Sequence, residues 1–424
     1  MRMENYVEIL NDKYFEGKLS KKFRNKLENI PIDRPDVLSM VERMFRLINN
    51  ANIPATDLSE MLGEILGTLL GRILPSAWED RIPPVTVPGR HAAIDKYIKM
   101  SQWNSKEAKS MMDIGCGFPP YTTIDTANYF PDWNIFGVGP SLPKFLVHDE
   151  SGNYATFSEG KSIVYFQPSN PTIENWDLLL KDKEETKSRF YKLLNQLDGH
   201  PSKDKNIVPR LELDPIKIYE QNNLSFIIGG IGAVDIKPVD VIRCFNVLFY
   251  FNNAFFLKAL SWFKGKLTER GLLFIGGNWA ASTESFYAVY QKEGDVLHRR
   301  EFAFSIDCIC PFSVATWYAN HDDDQQAAEL TKYVKMIRQD DDFMKEFYAF
   351  HDLQRAAYGI CPRDSDGYYD NIDSSIAPED IWPSVGKILE ELNENGFNDK
   401  AIQVLRNSGV NAKLNEVGHL SILS

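Results

Sequence analysis

Cysteine is scarce in this sequence of 424 residues, and basic residues are fewer than acidic ones, 47 against 59. Five cysteines are too few for the disulfide framework that supports small secreted proteins. Cys308 and Cys310 form a C-x-C pair with Cys361 downstream, but no paired-histidine motif accompanies them. We therefore predict buried apolar cysteines and no metal site. The formal net charge of −12 disfavours nucleic acid as a partner, because phosphate binding needs clustered lysine and arginine.

Long apolar runs are absent as well. No segment is apolar over the length that crosses a bilayer, and the first residues contain no apolar signal core. We expect a soluble, cytoplasmic protein without a membrane partner. The hydrophobic content of 43% and the aromatic content of 12% fit an ordinary globular fold, and the length allows two or three domains.

Residues 1–105 are predicted to form a helical N-terminal domain that ends in a proline-rich linker. In "TDLSEMLGEILGTLLGRIL", apolar residues recur at helical spacing, and Asp57 with Glu60 resembles an N-terminal capping box. Three glycines recur every four residues along this helix: Gly63, Gly67 and Gly71. Because each glycine lowers helix stability, another helix should pack closely against this ridge. That helix could belong to the same chain or to a partner in a homodimer.

Residues 106–310 are predicted to form an α/β core with an insertion at about 140–223. Short β-prone runs separated by turn residues predict a β-meander in the insertion, followed by a polar helical stretch. The core should then resume with two apolar strands, Leu224–Ile228 and Val239–Phe245. Residues 311–424 are predicted to be a helical C-terminal extension.

A glycine-rich turn opens the core in "MMDIGCGFPPYTTIDTANYFPDWNIFGVGPSLP", residues 111–143. A short apolar strand ends in Asp113, a turn holds two glycines, and a helix and a second strand follow, as in a nucleotide-binding βαβ unit. Pro119 and Pro120 lie where a third glycine and the helix N-terminus would be. Because proline has no N–H, the loop suits a ligand without phosphates better than a pyrophosphate. This disfavours a nicotinamide-dependent oxidoreductase.

The Asp-x-Gly-x-Gly order at residues 113–117 resembles motif I of the class I S-adenosylmethionine-dependent methyltransferases. "PVDVIRCFNVLFYF" and "LTERGLLFIGG" are similar to the fourth and fifth strand regions of that family. The string Asn246–Phe251 specifically resembles the chemotaxis receptor methyltransferases. The resemblance covers roughly residues 106–140 and 222–305. It implies a Rossmann-like core that binds S-adenosyl-L-methionine as its cofactor.

The resemblance also implies a set of cofactor-binding residues. They are Asp113, Gly115, Cys116, Gly117, Gly139, Pro140, Gly229, Gly230, Ile231 and Asn246. Two positions depart from the family pattern, because Gly139 replaces the acid that holds a ribose and "IIGGIGA" has glycine where an acid often contacts adenine. Asp149, Glu150 or a backbone carbonyl could compensate. Alternatively the ribose is held weakly, or the fold has lost its cofactor.

Methyl transfer from a sulfonium is an in-line displacement, so alignment in a dry site supplies most of the catalysis. Candidate catalytic residues near the expected cleft are Asn246, Tyr121, Tyr250, Arg90 and His91. Asn246 could instead cap the chain, and the tyrosines and the histidine could be ordinary packing residues. Arg90 could hold an acceptor carboxylate.

Two functions from different classes remain compatible with the sequence. The first is an S-adenosylmethionine-dependent methyltransferase that acts on a small-molecule or peptide-like acceptor. The second is a catalytically inactive protein that keeps the methyltransferase fold for binding or scaffolding.

Overall fold

The computed structural model describes residues 3–28, 30, 34–74, 86–101, 109–170, 172–204, 206–313, 317–369, 376 and 378–423. Within these residues the strands form two sheets. One sheet has nine strands and contains the first strand of the predicted core, and the other has four strands.

The N-terminal part of the chain is helical. Its helices are α1 (Met3–Phe15), α2 (Lys21–Lys26), α3 (Pro35–Asn50), α4 (Glu60–Thr68, continued by a π-helical turn at Leu69–Ile73) and α5 (Ala92–Met100). A Cβ added at Gly67 of α4 would lie 2.1 Å from the carbonyl oxygen of Lys26, and one at Gly63 would lie 3.1 Å from the ring of Phe23. The helix that packs on the glycine ridge is therefore α2 of the same chain. Residues 75–85 of the predicted linker lie outside the described residues.

The nine-stranded sheet carries the α/β core. Its strands are β1 (Ser110–Ile114), β2 (Asn134–Gly139), β7 (Leu224–Ile228), β8 (Val239–Phe245), β9 (Leu267–Gly277), β10 (Phe286–Glu293), β11 (Val296–Phe304), β12 (Ala412–Leu414) and β13 (Leu420–Leu423). They lie in the order β12–β13–β11–β10–β9–β8–β1–β2–β7. The pairs from β7 to β9 are parallel and the pairs from β9 to β12 are antiparallel. Counted along the chain, the five parallel strands have the 3-2-1-4-5 order of a Rossmann-like fold, which confirms the predicted fold class.

Helices cover both faces of the parallel part of this sheet. Besides α5, they are α6 (Tyr121–Tyr129) and α9 (Asn253–Lys266). Successive side chains of a strand point to opposite faces. Met111 of β1 accordingly packs in the cluster that includes α5 and α6, and Met112 packs in the cluster that includes α9. Burial on both faces explains why the strand sequences are almost continuously apolar.

The insertion between β2 and β7 is a small sheet with two helices. Its elements are β3 (Phe145–His148), β4 (Tyr154–Phe157), β5 (Ile163–Gln167), α7 (Ile173–Leu180), α8 (Lys183–Leu197) and β6 (Arg210–Leu213). β3, β4 and β5 form the predicted meander, and β6 pairs antiparallel with β3. The polar helical stretch predicted after the meander is two helices.

The C-terminal part is helical except at its end. Its helices are α10 (Gln325–Arg338), α11 (Asp341–Tyr358), α12 (Pro378–Glu394) and α13 (Phe397–Asn407). The prediction of an entirely helical extension is wrong, because β12 and β13 follow α13 and β13 pairs with β11. The last described residues thus belong to the main sheet.

The predicted capping role of Asp57 is also wrong. Ser59 caps α4, because its Oγ accepts a hydrogen bond from the backbone N–H of Leu62 at 3.2 Å. Asp57 is fully buried and forms ion pairs with Arg338 at 3.0 Å and Arg363 at 3.2 Å. This carboxylate fixes the N-terminal helices to the C-terminal part of the chain.

The five cysteines are free and buried, as predicted. Burial raises the pKa of the Cys308 thiol, and it raises the pKa of Cys310 to about 12, so both thiols are protonated and unreactive at neutral pH.

Among the described residues, no group of three or more metal-binding side chains could hold an ion. No helix in the same residues is both long and apolar enough to cross a membrane.

Candidate functional site

The strand order of the large sheet reverses at the carboxyl ends of β1 and β8, and we call this edge of the sheet the crevice. From β1 the chain builds β2 and β7 on one side and then returns to build β8 on the other side. In open α/β sheets, ligands bind where the strand order reverses in this way. The glycine turn after β1 and the Asn246 segment after β8 both lie at this point.

The glycine turn packs tightly against the segment that follows β8. Gly115 has φ 81° and Gly117 has φ 66°, a conformation that favours glycine. A Cβ at Gly115 would lie 2.3 Å from Cγ2 of Val247. The backbone N–H groups of Gly115 and Cys116 both donate to the carbonyl of Val138, at 2.7 and 3.2 Å. Two donors of the turn are therefore used inside the fold.

A buried ion network lies beneath the turn. Arg243 of β8 is fully buried and donates through Nε to Asp113 at 2.9 Å and through Nη1 to Asp95 of α5 at 2.7 Å. Thr123 and Thr126 of α6 donate to the same carboxylates, at 2.6 and 2.9 Å. Burial raises the pKa of Asp95 to about 6, and the positive charge of Arg243 opposes this shift. Arg243 and Thr123 hold the carboxylate of Asp113, which lies two residues before Gly115. The network therefore fixes the start of the glycine turn.

Arg243 and Asp95 were not among the predicted site residues. A signal for Arg243 was present, because arginine is rarely buried unless it is paired and this one interrupts the apolar strand "VDVIRCF". The identity of its partners was not visible, since Asp95 is 148 residues away in the sequence.

The position of the ribose-binding acid at the end of β2 is Gly139, which has no side chain, and a Cβ there would make only ordinary contacts. Gly139 is buried, and an added Cβ would contact Sγ of Cys116 at 3.5 Å and Cγ of Leu142 at 3.6 Å. The carboxylate of Asp149, which could compensate for the missing acid, is already engaged. It accepts the backbone N–H groups of Ser151 and Asn153, each at 2.9 Å, within the turn between β3 and β4. Pro140 and Glu150 are exposed.

The end of β7 is more open. The N–H of Gly229 donates to the carbonyl of Gly139 at 3.2 Å, so these two glycines join neighbouring strands. A Cβ at Gly230 would meet no atom within 4 Å. Ile231 is partly buried and packs on the cluster that includes α9. Of the predicted residues that follow β7, Gly230 is the one at which an added side chain would start in open space.

Asn246 connects the end of β8 to the end of β9. It adopts φ 57°, and its Oδ1 accepts the N–H of Asn278 at 3.1 Å while its Nδ2 donates to the Asn278 carbonyl at 3.2 Å. The Asn278 side chain donates in turn to the carbonyl of Arg90 at 2.7 Å and contacts Nδ1 of His91 at 3.0 Å. Through Asn278, Asn246 is therefore connected to two other predicted site residues, Arg90 and His91. Asn278 is a candidate site residue that the sequence prediction missed.

A strained turn after β9 holds the same segment. Ala281, Ser282 and Glu284 have φ values of 52°, 60° and 45°, which are costly for residues other than glycine. The Ser282 hydroxyl contacts the Arg90 carbonyl at 3.0 Å and accepts the N–H of Ala93 at 3.1 Å. This turn fixes the start of α5 against the crevice.

His91 is a neutral residue of this network. It is buried, and burial lowers its pKa well below the ordinary value, assisted by the charges of Arg243 and Arg90. A histidine with such a low pKa is a poor proton acceptor near neutral pH. We therefore do not assign His91 as a general base.

Arg90 and Tyr250 lie near each other beside the crevice. Burial lowers the pKa of Arg90 to about 10, and the Tyr250 hydroxyl opposes this shift. The Nε atom of Arg90 is buried and has no hydrogen-bond partner among the described residues. The ring of Tyr250 packs on Phe249, with 4.3 Å between ring centroids.

Tyr121 is the first residue of α6, directly after the glycine turn and its two prolines. It is 38% exposed, and its backbone N–H donates to Oγ1 of Thr86 at 2.8 Å. The insertion reaches the same turn, because Oη of Tyr165 in β5 donates to the carbonyl of Phe118 at 2.8 Å. Tyr121 is thus at the surface between the core and the insertion.

Comparisons with known proteins add little to this picture. No family model and no curated protein matches the chain. Among solved structures, a precorrin-6y C5,15-methyltransferase from Geobacter metallireducens is 10% identical with a TM-score of 0.20, covering 44% of this chain and 60% of its own. PKMT2 from Rickettsia typhi, in complex with AdoHcy, is 16% identical with a TM-score of 0.22, covering 46% and 25%.

An O-methyltransferase family 2 protein from Planctomyces limnophilus, in complex with apigenin, is 10% identical with a TM-score of 0.23, covering 65% of this chain and 76% of its own. The chain spans less than two thirds of the length of the Geobacter and Rickettsia proteins. Scores of this size carry no argument about function. The specific resemblance of Asn246–Phe251 to the chemotaxis receptor methyltransferases stays a prediction.

Proposed function

We propose that the chain is an S-adenosylmethionine-dependent methyltransferase whose cofactor and acceptor meet at the carboxyl ends of β1 and β8. The acceptor is a small molecule or a peptide-like group. The observation that carries the proposal is that the motif I turn lies at the reversal of strand order in a Rossmann-like sheet. The turn has the left-handed glycines that a close ligand approach requires.

The residues at this edge fit a ligand without phosphates. Gly117 and Gly230 would border the cofactor, since Gly117 ends the turn at positive φ and no described atom occupies the space beside Gly230. S-adenosylmethionine supplies an electrophilic methyl group when bound. The chain's own contribution is alignment, through Asn246 and Asn278, and exclusion of water by the insertion that packs on the turn.

A specific pair of observations favours the second candidate, a binding or scaffold protein without turnover. The carbonyl of Val138 takes two N–H donors of the turn, and Gly139 has no side chain where the family has the ribose-binding acid. Both features weaken the hold on a nucleoside. The second candidate therefore differs from the first in one measurable property, the transfer of a methyl group.

Calorimetric titration with S-adenosylmethionine and S-adenosylhomocysteine tests the proposal. We expect both ligands to bind with dissociation constants below about 1 mM, which corresponds to about −4 kcal/mol. Absence of binding for both ligands at millimolar concentration would contradict a methyltransferase. Binding of the two without methyl transfer to any small-molecule or peptide acceptor offered would favour the scaffold.

A further inference from the structure

Within the described part of the chain, Arg90 is a partly buried cation without an anionic partner. Its Nε atom is buried and makes no hydrogen bond, and the described residues place no carboxylate in ion-pair contact with its guanidinium. Arg243 and Arg338, which are buried in the core, are paired with aspartates. Arg355 is also buried without a carboxylate partner among the described residues, but its guanidinium stacks on the rings of Phe312 and Tyr369. A buried donor without an acceptor is unfavourable, so the Nε–H of Arg90 is available to an anionic ligand.

The carboxylates around this part of the crevice are already engaged. Asp113 and Asp95 bind Arg243. Asp307 accepts the backbone N–H of Glu284 at 2.6 Å, and Glu284 accepts that of Ser313 at 2.5 Å. None of these carboxylates forms an ion pair with Arg90, so an anion that binds it would come from outside this network.

Arg90 and Gly230, the residue proposed to border the cofactor, lie toward opposite ends of the parallel part of the sheet. The backbone of Arg90 is tied to Asn278, which follows β9, two strands to one side of β1. Gly230 follows β7, two strands to the other side of β1. An anion at Arg90 would thus lie across the crevice from the opening beside Gly230.

We propose that Arg90 binds a carboxylate of the methyl acceptor. This inference rests on the proposed function and narrows its substrate class to acceptors that carry a carboxylate. The planar guanidinium matches a carboxylate through two parallel N–H donors, and exclusion of water strengthens that pair. The side chains of Asn278 and Ser282 donate to the backbone carbonyls of Gly89 and Arg90, so the point from which the Arg90 side chain extends is fixed.

The test follows the Nε–H signal of Arg90 by nuclear magnetic resonance in protein labelled on arginine. The probe is acetate, with its uncharged analogue acetamide and with chloride at equal ionic strength as comparisons. We expect acetate to shift the Arg90 signal to saturation, and acetamide and chloride to leave it unchanged. Loss of the signal in Arg90→Lys identifies it.

Arg299 is the matched control. Its Nε is also buried without a hydrogen-bond partner among the described residues, but its guanidinium is paired with Glu329 at 2.8 Å. Its signal should not respond to acetate. A missing or non-saturating response at Arg90, or an equal response at Arg299, would overturn the proposal.

Repeating the acetate titration with S-adenosylhomocysteine bound separates the two sources of a carboxylate. A retained acetate response assigns Arg90 to the acceptor. If S-adenosylhomocysteine itself moves the Arg90 signal and removes the acetate response, the cofactor's own carboxylate occupies the site and the acceptor assignment is wrong. If S-adenosylhomocysteine does not bind at all, the methyltransferase proposal fails and the acceptor assignment fails with it, whereas the acetate response still decides whether Arg90 is an anion site.

Discussion

Replacing Arg243 by methionine should lower the free energy of unfolding by about 3–5 kcal/mol, the cost of breaking a buried ion pair from one side. Methionine has a similar length and fills much of the space, so the loss is mainly electrostatic. Asp95 and Asp113 would then face each other as buried carboxylates without a cation. Chemical denaturation of both proteins measures the difference.

Arg299→Met is the control for this prediction. Arg299 and Glu329 form a pair in which both side chains are about 30% exposed, and such pairs contribute about 0–1 kcal/mol. If Arg243→Met cost no more than Arg299→Met, the network beneath the glycine turn would not stabilise the fold.

The pH dependence of the Arg243→Met effect follows from Asp95. The pKa of Asp95 is about 6 in the folded protein, whereas the ordinary value for an aspartate is 3.8. A carboxyl whose folded pKa is raised destabilises the fold as the pH rises from about 4 to about 6. Without Arg243 the folded pKa rises further, so the stability of the variant should continue to fall above pH 6. The loss should therefore be smaller at pH 5 than at pH 8.

Gly230→Phe should abolish binding of S-adenosylmethionine and S-adenosylhomocysteine while the protein stays folded. No described atom lies within 4 Å of an added Cβ, so a side chain can start from this position without a clash. We expect the ring to occupy the space in which the cofactor is proposed to bind. We expect affinity to fall by at least about 100-fold, which is about 2.7 kcal/mol. Calorimetry measures the affinity and thermal unfolding confirms the fold.

Gly265→Phe is the matched control. Gly265 lies in α9, and an added Cβ there also meets nothing within 4 Å among the described residues. Its binding should equal that of the unmodified protein. Unchanged affinity in a folded Gly230→Phe variant would show that the cofactor does not occupy this opening.

The strands of the core were predictable because their sequences are apolar and end in glycine or polar residues. Leu224–Ile228 and Val239–Phe245 were predicted with the bounds that the structure has. β12 and β13 were not, because strands of three and four residues show too little periodicity to separate them from a loop.

The candidate site was predictable in position and less so in its contacts. The spacing of Asp113, Gly115 and Gly117 placed the turn correctly. The sequence could not show that the carbonyl of Val138 takes two donors of that turn. It also could not show that the Asp113 carboxylate pairs with Arg243, because such partners are brought together by the fold and not by spacing along the chain.

The crystal structure of the complex with S-adenosylhomocysteine tests the central claim most directly. The proposed function predicts density for the ligand at the carboxyl ends of β1, β2 and β7, in contact with Gly117 and Gly230. Density confined to another part of the chain, such as the cleft between α2 and α4, would contradict it.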